Sequence, residues 1–103
     1  MIVACPHCHF NYLHQEKIEV FDRGEDSDKG DYVSIGGKDG SVLSVNSPLP
    51  PGNPSGRRHG LTIHFWCEGC EELPQLNIYQ HKGQTFMEWK GLSRNLMLLE
   101  RDA

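Results

Sequence analysis

Four cysteines carry the clearest chemistry in this chain, and they fall in two pairs, Cys5-Pro6-His7-Cys8 and Cys67-Glu68-Gly69-Cys70. Two thiolates three positions apart on a tight turn can grip one side of a tetrahedral metal ion. Two such pairs fill all four positions around zinc. A site closed by Cys5, Cys8, Cys67 and Cys70 leaves no position for water, so the expected zinc, one per chain, is structural rather than catalytic. Iron takes the same four-thiolate geometry and is the rival metal. His7, His9 and His14 lie near the first pair, but a complete thiolate set leaves them as surface or supporting residues. No Ser/His/Asp or Cys/His arrangement remains once every cysteine binds metal, so the expectation is that the protein is not an enzyme.

The 103 residues fit one domain, 1–103, lean in core formers at 37% hydrophobic and rich in turn formers with Gly 11 and Pro 6. A domain this short gains much from a metal staple. The net charge is −4, and four ligating thiolates around one divalent ion make it about −6. That sign works against nonspecific polyphosphate binding and favours a protein partner. No apolar run approaches the roughly 18 residues that span a membrane, and nothing resembles a secretory signal. These features predict a soluble protein of a reducing, cytoplasmic compartment that does not bind membranes. Two disulfides in a secreted protein are the competing account of the cysteines.

The elements that must position the cysteines read as strands. Residues 15–22 alternate, with Ile18 and Val20 on one side and Lys17, Glu19 and Phe21 on the other. A loop dense in acid and glycine follows; it lacks the glycine and distal glutamate positions of a calcium-binding loop and reads as solvated. Residues 32–35 and 42–45 form a hairpin around Gly36-Gly37-Lys38-Asp39-Gly40. The Pro/Gly-rich stretch from Ser47 to Gly56 predicts a long surface loop. Residues 61–66 alternate and run straight into Cys67, with Leu61, Ile63 and Phe65 on one face and Thr62, His64 and Trp66 on the other. That second face is expected to be covered by the 22–60 insertion or a C-terminal helix, with Trp66 and Trp89 packed, and serves as a binding face only if it stays open. Residues 75–81 and 84–89 form a second hairpin across Lys82-Gly83. A short helix over 92–100 is predicted, with Ser93 as its N-cap and Leu92, Leu96 and Leu99 on one stripe.

Through Cys5, Cys8, Cys67 and Cys70, and the strands at 61–66, 75–81 and 84–89, the chain resembles the zinc-ribbon family. That resemblance implies a small, mainly β domain with those four cysteines as zinc ligands. The departure is the gap: 58 residues separate Cys8 from Cys67, against roughly 15–20 in a compact ribbon. Loop-closure entropy rises slowly with length, so an inserted hairpin and loop over 22–60 is tolerable. The stretch from Gly52 to Leu61, with His81-Lys82-Gly83 and Trp89, is also similar to short bacterial and prophage zinc-ribbon proteins. A second resemblance points elsewhere: C-P-H-C is also the active-site tetrapeptide of thioredoxin-fold disulfide oxidases. Here no strand-helix-strand unit surrounds Cys5, and the second pair has no part in that chemistry.

Binding candidates concentrate in the second half. Arg57 and Arg58 end the Pro/Gly-rich loop, where they suit an anion. His64, Lys82 and Trp89 add the basic and aromatic groups that single-stranded nucleic acid uses. The leading expectation is a zinc-fastened adaptor that binds a protein. The alternative is a nucleic-acid-binding ribbon using these residues, and a thiol–disulfide oxidoreductase comes third.

Overall fold

The computed structural model describes residues 1–24 and 27–90. The predicted helix over 92–100 lies outside the described residues. Within them the fold is all-β, with six strands and no helix: β1 (Leu13–Arg23), β2 (Lys29–Gly36), β3 (Val42–Pro48), β4 (Gly60–Cys67), β5 (Gln75–His81) and β6 (Gln84–Trp89). They form a single antiparallel sheet in the order β3-β2-β1-β4-β5-β6. The 22–60 excursion is therefore not a separate appendage. Its two strands extend, through β1, the same sheet that β4, β5 and β6 begin.

Register assigns each side chain to a face. Glu19 lies opposite Thr62, which lies opposite Asn77, while Ile18 lies opposite Ile63 and then Leu76. The first face is polar. It carries Glu19, Tyr32, Ser34, Thr62, His64 and Asn77, and residues 49–59 run across it. Gly60 allows that crossing, because a Cβ there would lie 2.1 Å from Asn53 Oδ1 and 2.8 Å from Pro54 Cδ. Phe21 is fully buried beneath this loop, 3.8 Å from the position of a Gly52 Cβ and 5.1 Å between ring centroids from Tyr32. Thr62, on the face of β4 expected to be covered by the insertion or the C-terminal helix, is 4% exposed. The loop covers it, and its hydroxyl donates to Asn77 Oδ1 at 2.8 Å.

The opposite face is apolar. Ile18 and Val20 of β1 align with Val33 and Ile35 of β2 and with Leu61 and Ile63 of β4. Leu76 and Ile78 continue the pattern on β5, and Trp89 and Met87 on β6. At one end of this face Phe65, Leu76 and Trp89 form the core, with Val3, Leu13, Ile63 and Met87 packed against it. The N-terminal segment thus covers the end of the face next to the cysteines. Toward β2 and β3 the face is open: Ile35 is 54% exposed and Leu43 69%.

The turns follow from residue type. Lys82 and Gly83 both take positive φ, 51° and 80°, the mirror-image turn whose twist suits a two-residue hairpin. Strand β3 runs through Ser47 and Pro48, two residues into the stretch expected to be irregular. It is an edge strand, where a terminal proline loses no ladder bond.

Candidate metal centre

Each cysteine pair sits on a turn anchored by backbone. In the first knuckle the His9 N–H donates to Cys5 O and the Cys5 N–H to Phe10 O, both at 2.8 Å, which closes the turn over Cys5–Cys8. His9 takes a φ of 66° to complete it. The second knuckle begins where β4 ends, at Cys67. The Glu68 N–H donates to Tyr12 O at 3.2 Å, so the chain that leaves one knuckle is bonded to the chain entering the other. Gly69 is needed because Phe10 lies over it: a Cβ would meet Phe10 Cγ at 2.8 Å.

The four sulfurs converge. All lie within 4.8 Å of one another, with Cys8 to Cys67 at 3.6 Å and Cys5 to Cys70 at 3.8 Å. Zinc bound at about 2.3 Å by four thiolates needs sulfur–sulfur edges of about 3.8 Å, so the arrangement fits one tetrahedral ion. Both short contacts join one knuckle to the other. Cys5 and Cys67 are buried, while Cys8 reaches solvent.

The sulfurs differ in acidity. Burial pushes the Cys67 thiol up, but the Gly69 N–H, 3.3 Å from its sulfur, and the neighbouring thiols outweigh burial and hold it at about 7. A bond from the Glu72 backbone favours the Cys70 thiolate. Burial and the other three sulfurs overcome it and push Cys70 up to about 12. Cys8 is also raised: the Phe10 backbone bond works against the shift, and burial and Cys67 drive it. Four sulfurs this close cannot all carry charge without a cation, whereas a divalent ion makes all four thiolates favourable.

The other expected site residues divide. Arg57, Arg58 and Lys82 come together, lining with Gln80 and Gly83 a pocket of about 190 Å³ at the β5–β6 turn. Ser55 fixes that geometry. Its buried hydroxyl donates to Gln80 O at 2.7 Å and accepts from the Arg58 N–H at 2.9 Å and the Arg57 N–H at 3.3 Å. His64 lies elsewhere, on the polar face, with Nε2 2.6 Å from Glu19 Oε1. Trp89 is 3% exposed, within the core, so its ring offers no surface for stacking. The exposed indole is Trp66, stacked on His14 at 4.0 Å between centroids; His14 in turn pairs with Glu68.

Sequence reasoning missed Glu19, which organises the polar face. Tyr32 Oη donates to its Oε2 at 2.7 Å while His64 holds Oε1. Burial raises the Glu19 carboxyl, but the bonds from Tyr32 and His64 prevail and its pKa is lowered. Tyr32 is raised, by burial first and then by Glu19. The signal available in the sequence was the alternation of residues 15–22, which puts Glu19 on the same side as Phe21. Comparison with family models, curated proteins and solved structures finds no match to this chain.

Proposed function

We propose that the four cysteines bind one structural zinc ion, and that the domain so fastened acts as a protein-interaction module of the reducing cytoplasm rather than as an enzyme. The sulfur spacing supports the metal half of this reading. The zinc supplies no open coordination position; it joins the N-terminal knuckle to the end of β4 and so seats Val3 on the core. The observation that carries the binding half is the open apolar face of the sheet around Val20, Ile35 and Leu43. Exposed apolar area of this extent on a small domain marks a surface that meets another protein. The test is photo-crosslinking in cells with a photoreactive amino acid at Ile35, on that face, or at Lys38, outside it. A specific protein adduct from Ile35 alone is expected. Equal labelling from both positions, or none, would contradict the reading.

A second reading, nucleic-acid binding, draws support from the convergence of Arg57, Arg58 and Lys82. It loses the stacking group assigned to it, because Trp89 is buried. Titration with a single-stranded oligonucleotide at low and high salt tests it. Strongly salt-dependent binding that Arg57→Glu with Arg58→Glu abolishes is required. The oxidoreductase reading is the least supported, since all four sulfurs converge within 4.8 Å of one another and neither C-x-x-C pair stands apart from the other.

A further inference from the structure

We propose that the partner of the open apolar face is a second copy of this chain, with two sheets closing face to face into a β-sandwich. This rests on the protein-interaction reading and names its partner. A sheet with one apolar face is stable in water only when a second layer covers that face. Among the described residues, only the end beside the cysteines is covered, by the N-terminal segment. Val20, Ile35, Leu43 and Val45 stay 37%, 54%, 69% and 60% exposed.

Size and charge favour a copy of the same chain. Six strands about 4.8 Å apart, carrying about three rows of side chains on this face, give a flat footprint of roughly 500 Å². Side-chain relief brings the accessible area toward the about 800 Å² per partner of a stable complex. No charged residue interrupts the centre of the face, so joining two copies strands no buried charge. Its charges lie at one end, on opposite sides of the midline. Asp22 and Asp31 lie opposite each other across β1 and β2, Asp22 with His59 Nδ1 3.2 Å from its Oδ1 and Asp31 accepting from the Asn46 N–H at 2.8 Å. At that same end, past the Gln80–His59 backbone bond, stands Lys82 in the turn between β5 and β6. A two-fold axis along the strands, between β1 and β4, lays β2 of one copy over β5 of the other. It sets each acidic corner against a basic one. The same operation puts Leu43 of β3 over Met87 of β6. Such an interface is isologous, and each contact occurs twice.

Sedimentation velocity on the full, metal-loaded chain over a wide concentration range tests the proposal. The expected species has twice the 11.7 kDa chain mass and dissociates on dilution. Val20→Lys with Ile35→Glu is expected to raise the dissociation constant at least about tenfold. Metal content and circular dichroism should not change, because both side chains face solvent in a single chain. Asp22→Lys and Lys82→Asp are each expected to weaken the dimer, and together to recover part of the loss. A monomer at every concentration overturns the proposal, whether another protein or the chain's own residues 91–103 cover the face. So does a dimer that ignores Val20→Lys with Ile35→Glu. A monomer that still crosslinks from Ile35 to a different protein ends this proposal and leaves the interaction reading standing.

Discussion

At the scale of single residues the protein is governed by sulfur acidity and by one carboxylate. Without metal, Cys67 ionises near pH 7 while Cys70, at about 12, keeps its proton. Zinc must displace the protons that remain, so its apparent affinity rises with pH and falls as pH drops below 7, where Cys67 too is protonated. Competition against a chromophoric chelator between about pH 6 and about pH 8 is expected to show release of more than one proton per ion. Cys8→Ser removes a ligand without touching the core, and a loss of at least about 100-fold in zinc affinity is expected in the same assay. Glu19 acts on stability rather than on metal. Its pKa is lowered on folding, so its contribution is present above the unfolded-state carboxyl range and is lost as pH falls through the lowered folded value. Glu19→Gln is expected to cost about 1 kcal/mol at neutral pH and to flatten that acid limb in denaturant titrations. The four-cysteine cluster was legible because two C-x-x-C pairs hold every cysteine. Glu19 was not, because its role depends on Tyr32 and His64, 13 and 45 positions away.

At the scale of elements, local rules settled some segments and left others open. Strands β5 and β6 have the bounds expected from sequence, since alternation on both sides of Lys82-Gly83 specifies register and turn together. Residues 49–59 were legible as a loop but not in their path. The path is set by Asn53 and Ser55, ordinary loop residue types whose side chains reach Arg58 O and Gln80 O. That crossing is what buries Thr62: alternation identifies a second face, and a covering by the insertion is expected, but alternation does not say which residues form that covering. Ser55→Ala removes one bonded hydroxyl donor and leaves two backbone N–H groups short of an acceptor. It is expected to cost about 2 kcal/mol in chemical denaturation and to loosen the Arg57–Arg58 segment in hydrogen exchange. Gly30→Ala tests the sheet itself. The added Cβ would lie 2.2 Å from Asp22 O, a backbone atom that cannot rotate away, so a loss of more than about 2 kcal/mol is expected.

Across the whole molecule, one metal centre and one sheet divide the work. The knuckles join segments 58 residues apart in sequence and hold the N-terminal segment against the Phe65–Leu76–Trp89 core. Among the described residues the rest of the apolar face stays open, with Ile35 54% and Leu43 69% exposed. Composition signalled a lean core, and among the described residues the buried cluster is Phe65, Leu76 and Trp89. What composition could not convey is that the 22–60 excursion widens the sheet from four strands to six, because that depends on β1 pairing with β2 on one side and β4 on the other. No helix among the described residues is long and apolar enough to cross a membrane. The central claim is that a single zinc ion in the four-cysteine site fastens the fold. Native and denaturing mass spectrometry of the purified protein, repeated after chelation and followed by circular dichroism, tests it most directly. The account predicts one zinc per chain in the native spectrum, four free thiols in the denatured one, and loss of the β signal once the metal is removed. A metal-free chain that keeps its fold, or one in which the cysteines are paired as two disulfides, would contradict it.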